Sequence, residues 1–102
     1  MKYVLEFYPE AAKELNHRDP SVRAEVIKRI NDRLENPHVS ASALRGDLKN
    51  FYKIKLESRG LRIVYREEDE IITVFVVAVG KRDKKKVYAE ASLRSIQKRR
   101  LL

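Results

Sequence analysis

In the first third of the chain, apolar residues recur with two different spacings, one typical of a strand and one typical of a helix. Apolar residues at every second position between Lys2 and Tyr8 predict a β-strand. A short helix is expected from Pro9, because proline fits the first helical turn. A second helix begins at Asp19-Pro20, an acidic N-cap followed by proline, and ends near Pro37. Its apolar face repeats every three or four residues: Val22, Val26, Ile27, Ile30 and Leu34.

After a polar loop with one helical turn around Ala41 to Leu44, the period is two as far as Val79. Three meander strands are predicted, centred on Ile54, on Ile63 and on the run Ile71 to Val79. The third is apolar on both faces, as is typical of a strand inside a sheet, and Gly80 is expected to end it. Helical spacing returns from Val87 to about Leu101.

These elements predict one α+β domain over residues 1–102. It contains a small antiparallel sheet, made of the N-terminal strand and the three-strand meander. The sheet packs with an N-terminal helix pair and a C-terminal helix.

Composition narrows the possible functions. The 102 residues include 23 Lys and Arg against 15 Asp and Glu, a net charge of +8, and no cysteine. Disulfides and cysteine-ligated metals are therefore excluded, and so small a domain has little room for an enclosed cofactor. The longest apolar run, Ile71 to Val79, is too short to cross a bilayer. We expect a cytoplasmic protein without a membrane segment or a cofactor.

Basic residues are concentrated in two stretches. Residues 45–66 hold seven basic and two acidic side chains, and residues 81–102 hold nine and two. Residues 67–80, between them, hold four acidic and no basic ones. If the fold brings the basic stretches together, their field suits a polyanion, whereas dispersed charges only keep a surface soluble. The clustering favours the polyanion.

The register of the first two meander strands decides which cations are neighbours. Pairing Leu56 with Leu61 places Lys55 opposite Arg62, with Lys53 on the same face. Like charges directly across a sheet are destabilising, so the arrangement indicates a site for phosphate. A lysine beside other cations is also suited to general-base catalysis. On pattern alone, a merely solvent-exposed charged face explains the same residues equally well.

The segment from Gly80 to Tyr88 adds a second observation. It leaves the sheet as a basic loop and brings a tyrosine into the last helix. An aromatic ring beside cations fits RNA, because Tyr88 can stack on an unpaired base while Arg82 meets a phosphate. Taken alone, a tyrosine at a helix start is equally typical of simple packing.

At this point the chain resembles the RelE toxins of bacterial and archaeal toxin–antitoxin modules, part of the RelE/ParE superfamily. The resemblance extends over the whole length and implies a small antiparallel sheet packed on helices. It is carried by three stretches: Leu44-Arg45-Gly46 leading into Tyr52 to Leu56, then Gly60 to Tyr65, then Val79 to Arg82 with Val87-Tyr88.

The resemblance implies a metal-free endoribonuclease that cleaves mRNA in the ribosomal A site and inhibits translation, with the RNA 2′-hydroxyl attacking the adjacent phosphate. The family's catalytic set falls on Lys53, Lys55, Arg62, Arg82 and Tyr88. Lys55 is the favoured general base and Arg82 the acid or leaving-group stabiliser. Lys53 and Arg62 then neutralise the phosphate, and Tyr88 orients or stacks on a base.

The other cations of the basic stretches are expected to bind RNA or the ribosome: Arg45, Lys49, Lys81, Lys84, Lys85 and Lys86. Neither histidine has a role in this scheme, and both His17 and His38 are expected at the surface away from the basic face. No metal ligands are expected either.

The resemblance also implies partners: the ribosome with its mRNA, and a RelB-like antitoxin that holds the toxin inactive in a hetero-oligomer. Two alternatives remain. One is a ParE-like toxin of the same fold that acts on gyrase and cuts no RNA, and the other is a non-catalytic RNA-binding module. ParE-like chains lack the lysine pair and the basic loop, so Lys53, Lys55 and Arg82 argue against the first.

Overall fold

The structure, a computed structural model, describes residues 2–81 and 86–101 and confirms the α+β class. Within these residues, four strands and three helices follow one another. They are β1 (Val4–Phe7), α1 (Pro9–Asn16), α2 (Pro20–Arg33), β2 (Phe51–Leu56), β3 (Leu61–Glu68), β4 (Thr73–Lys81) and α3 (Lys86–Leu101). Single 3₁₀ turns at Ser40–Ser42 and Gly46–Leu48 interrupt the loop before β2.

The four strands form one sheet in the order β1-β4-β3-β2. The meander β2-β3-β4 is antiparallel, as predicted, but β1 runs parallel to β4, with Val4 beside Thr73 and Phe7 beside Val76. The prediction of a wholly antiparallel sheet was therefore wrong, and the sheet is mixed. Parallel neighbours need a long crossover connection, which here comprises α1, α2 and the β2-β3 hairpin.

Strand β4 lies inside the sheet, between β1 and β3, which explains its apolar residues on both faces. Its bounds differ from the prediction. It begins at Thr73 because Asp69–Ile71 forms a 3₁₀ turn and Ile72 is left-handed, with φ of 48°. It continues past Gly80 to Lys81, since these residues pair with Arg62 and Leu61.

The helices cover both faces of the sheet. Arg33 of α2 donates a hydrogen bond of 3.0 Å to the hydroxyl of Tyr65. A Cβ added at Gly80, the partner of Arg62, would lie 3.4 Å from the Cβ of Val87 in α3. Because Arg62 and Tyr65 are three residues apart on β3, they project from opposite faces. The sheet is thus enclosed between α2 and the start of α3.

A β-bulge in β4 is tied to two helices by one ion pair. Val64 pairs with Ala78 and Tyr65 with Val76, so Val77 is left out of the ladder. Its carbonyl accepts a hydrogen bond of 2.9 Å from Arg94 in α3, and the N–H of Val79 donates to Glu14 in α1 at 3.0 Å. The Arg94 guanidinium also makes two hydrogen bonds of 2.8 Å to the Glu14 carboxylate, and these raise the pKa of Arg94.

Candidate active site

The hairpin of β2 and β3 brings three of the predicted site residues together. Lys55 pairs with Arg62 and Leu56 with Leu61, which confirms the predicted register. Lys53 lies two residues from Lys55 and therefore on the same face. Period-two patterning fixes this arrangement, because a slip of one residue would bury the lysines and expose Ile54, which is 1% exposed.

The three cations differ in exposure and in contacts. Lys55 is exposed and Lys53 is half-buried, whereas the Arg62 side chain is only 13% exposed. The Arg62 guanidinium donates to its neighbour's carbonyl, at Leu61, over 3.3 Å, and it lies 3.9 Å from a carboxylate oxygen of Glu57. Arg62 is thus held in place by the hairpin, and Lys55 projects beside it into solvent.

The end of β4 lies directly beside this pair. Gly80 is the partner of Arg62, and Lys81 is the partner of Leu61. The packing of Val87 over Gly80 brings the first turn of α3, with exposed Lys86, to the same edge of the face. Lys81 and Lys86 line one surface depression together. The predicted Arg82, Lys84 and Lys85 lie outside the described residues.

Tyr88 is half-buried and packs against the core from α3. It lines a shallow groove that it shares with exposed Arg45 and with Leu93 and Ile96. The ring of Tyr88 therefore packs on the core, and part of it faces a groove that also contains a cation. Stacking of this ring on a base stays a prediction. Leu93 and Ile96 are among the large hydrophobic side chains that remain exposed, 52% and 46%.

The predicted RNA-binding cations that the structure describes line three different depressions. Arg45 belongs to the groove of Tyr88, and Lys81 and Lys86 lie at the end of β4. Lys49 instead lines a separate depression with His38, Arg66 and the acidic residues that end β3. Of the predicted cations within residues 2–81 and 86–101, Lys49 is thus the one that the fold places with the acidic segment.

Several arginines outside the predicted site have structural contacts, among them Arg94 and Arg66. Arg94, discussed above, is buried in the α1-α3-β4 contact. Arg66 lies with its guanidinium carbon 4.4 Å from the ring centre of Phe75 and donates to the Tyr8 hydroxyl at 2.9 Å. Neither pairing leaves a local signal, because the partners are many residues away in the sequence.

Within residues 2–81 and 86–101, none of the helices combines the length and the hydrophobicity needed to cross a bilayer.

Comparison with known proteins gives three kinds of match. Residues 5–85 match the family model described as the ParE toxin of the type II toxin–antitoxin system parDE. The chain is 44% identical over 91 residues to the mRNA interferase toxin RelE of Escherichia coli strain K12, and this match covers 89% of the chain and 95% of that protein. The mRNA interferase RelE of Shigella flexneri matches with the same identity and coverage.

Two solved structures extend the likeness to the fold. A mutant E. coli RelE toxin in the free state matches with a TM-score of 0.84 and 42% identity, covering 92% of this chain and 98% of that one. The intact E. coli RelBE toxin–antitoxin complex matches with a TM-score of 0.75 and 41% identity, covering 80% of this chain and 99% of that one.

Proposed function

Because the chain belongs to the RelE toxins, within the ParE toxin family of type II toxin–antitoxin systems, we propose that it is a ribosome-dependent mRNA interferase. It would cleave mRNA in the ribosomal A site without a metal and so inhibit translation. Two relatives with 44% identity carry the name mRNA interferase, which supports the activity. The cationic face of β2 and β3 supports the chemistry.

The observation that carries the proposal is the placement of Lys55 opposite Arg62, with Lys53 beside it. Three cations on one face are unfavourable to each other until an anion arrives. A phosphodiester gains negative charge on its non-bridging oxygens as the attacking oxygen approaches. Preorganised cations stabilise that state more than the starting one, which is the requirement for catalysis.

In the proposed reaction the RNA 2′-oxygen forms a bond to the adjacent phosphorus, and the bond from phosphorus to the 5′-oxygen of the next nucleotide breaks. Lys55, once its ammonium group has released a proton to water, accepts the proton of the 2′-hydroxyl. Lys53 and Arg62 neutralise the phosphate, and Arg82 stabilises the departing 5′-oxygen by its charge, since the high pKa of arginine makes it a poor acid. The departing oxygen takes its proton from water. Tyr88 would stack on a base beside Arg45.

We further propose that a RelB-like antitoxin neutralises the protein in a toxin–antitoxin hetero-oligomer. The support is the match to the RelBE complex over 80% of this chain. The protein would act in the cytoplasm, where translating ribosomes hold the mRNA.

The test is mRNA cleavage in a translating extract, mapped by primer extension. The unmodified protein should cut ribosome-bound transcripts, and Arg82→Ala should lose most of this activity. Lys55→Arg tests whether Lys55 acts as a base or only through its charge, because arginine keeps the charge but cannot accept a proton. We expect Lys55→Arg to lose cleavage as well. Lys28→Ala, a change at an exposed lysine of α2, is the matched control and should cleave normally.

The alternatives give different results in the same assay. A ParE-like toxin would leave transcripts intact and would not bind ribosomes. A non-catalytic RNA-binding module would bind ribosomes but leave the transcripts intact. Uncut transcripts with the unmodified protein therefore contradict the proposed function.

A further inference from the structure

A second cluster of titratable side chains lies at the other end of β3. His38 comes from the loop after α2, Glu67 from the end of β3 and Asp69 from the turn before β4. One ligand atom from each residue lies within 4.8 Å of those of the other two. The imidazole Nδ1 is 3.5 Å from Glu67 Oε1, and Nε2 is 3.0 Å from Asp69 Oδ1.

Glu67 is the unusual member of this cluster. Its side chain is only 9% exposed, and its Oε2 atom is buried without a hydrogen-bond partner. A buried carboxylate oxygen that lacks a donor costs free energy, and native proteins have few of them. Burial raises the pKa of Glu67, which reflects the same cost of keeping the charge there. A metal cation at this position would satisfy the carboxylate.

We propose that His38, Glu67 and Asp69 form a binding site for one divalent transition-metal ion, with Zn²⁺ as the best fit. One imidazole nitrogen and two carboxylate oxygens are a donor set for borderline ions, whereas Mg²⁺ and Ca²⁺ prefer oxygen ligands alone and more of them. Three protein ligands would leave the fourth position of a tetrahedral Zn²⁺ to water.

Two tyrosines support the ligands from outside. The Tyr3 hydroxyl donates a hydrogen bond of 2.7 Å to Asp69 Oδ1, and this bond lowers the pKa of Asp69 and so favours the ionised carboxylate. The Tyr52 hydroxyl lies 3.2 Å from His38 Nδ1, the nitrogen that also faces Glu67, so Nε2 is the nitrogen left for the metal. Contacts of this kind orient metal ligands and fix the imidazole tautomer.

To hold one metal the cluster must contract and the His38 ring must turn, because Nε2 now faces Asp69 while Nδ1 faces Glu67. Bonds of about 2.0–2.2 Å to Zn²⁺ place neighbouring ligands about 3.3 Å apart, against separations of up to 4.8 Å here. Glu67 is fixed by its strand, but the side chains of His38 and Asp69 are 42% and 60% exposed. They belong to a loop and a turn, so they have room to rotate towards Glu67.

The proposed metal is structural. Glu67 lies five residues along β3 from Arg62, about 17 Å in a strand, and an odd separation places it on the opposite face. The ion would join the loop after α2 to the turn between β3 and β4, and would stabilise the folded protein by linkage. It would take no part in RNA cleavage.

The experiment titrates chelator-treated full-length protein with ZnCl₂, followed by isothermal calorimetry and by thermal unfolding. We expect one equivalent of Zn²⁺ to bind and the melting temperature to rise by several degrees, whereas MgCl₂ at the same concentration changes neither. His38→Gln should weaken Zn²⁺ binding by roughly tenfold or more.

Two variants keep the result interpretable. Glu67→Gln removes the buried charge, so it should remain folded, yet it should also lose Zn²⁺ binding. His17→Gln changes the other histidine, which is exposed at the end of α1, and should bind Zn²⁺ like the unmodified protein. The proposal is overturned if no saturable binding occurs, or if His38→Gln and Glu67→Gln bind as tightly as His17→Gln.

Discussion

At the level of single residues, the candidate site contains an unfavourable pairing of like charges. Lys55 and Arg62 are direct partners across two antiparallel strands. Glu57 lies 3.9 Å from the Arg62 guanidinium but is 62% exposed, so solvent screens much of its attraction. We therefore expect the repulsion between Lys55 and Arg62 to remain in the free protein and to be relieved if an anion binds.

Replacing Lys55 should consequently make the protein more stable and less active. Lys55→Gln shortens the side chain by one atom and removes the repulsion, which is worth about 0.2–1 kcal/mol for a cross-strand pair. We expect the free energy of unfolding, measured by urea denaturation, to rise by this amount at low salt and the gain to shrink at high salt. Lys53→Gln is the control, because its partner Val64 is uncharged. An equal gain in both variants would contradict the explanation.

At the level of elements, local patterns were enough to predict most of the fold. The meander, its register and the starts of α1 and α2 follow from period-two alternation and from proline positions close to each element. The parallel pairing of β1 with β4 could not be predicted in this way, because it depends on a partner about 70 residues away. The bulge at Val77 and its ion pair could not be predicted from local patterns either, because Glu14 and Arg94 are 80 residues apart.

The Glu14–Arg94 pair should be important for stability, and its two halves should not be equivalent. The Arg94 side chain is 9% exposed and that of Glu14 is 30% exposed. Glu14→Ala leaves a buried guanidinium without its main partner and the N–H of Val79 without an acceptor. We expect a loss of about 1.5–3 kcal/mol in the free energy of unfolding, the range for hydrogen bonds to charged groups.

Arg94→Met should cost less than Glu14→Ala, because the Glu14 carboxylate can turn to water. The control is Glu90→Ala, which removes only a contact of 3.5 Å to Arg94 from a side chain that is 41% exposed, and it should cost less than about 0.5 kcal/mol. Urea denaturation of the three variants gives the order. Equal losses of unfolding free energy in all three variants would contradict a special contribution of the Glu14–Arg94 pair to stability.

At the level of the whole molecule, the fold separates the two signs of charge along β3. Arg62 lies near the β2-β3 turn with Lys55, and Glu67 and Glu68 lie at the other end of the strand with Asp69. The sequence indicated both groups, because the basic and acidic stretches are contiguous. It did not indicate that His38 joins the acidic group or that Lys49 lies next to it, since both come from the irregular segment between α2 and β2.

This separation predicts how binding to ribosomes should depend on salt. Each phosphate that a lysine or arginine contacts contributes about 0.7–0.9 to the slope of log affinity against log salt. With ribosomes that carry a 2′-deoxy codon in the A site, which cannot be cut by the proposed mechanism, Lys55→Gln and Lys53→Gln should each reduce the slope by roughly one contact. Lys28→Gln lies on α2, on the other side of the sheet, and should leave it unchanged. If all three variants reduce the slope equally, binding follows the net charge of +8 and does not depend on the face formed by β2 and β3.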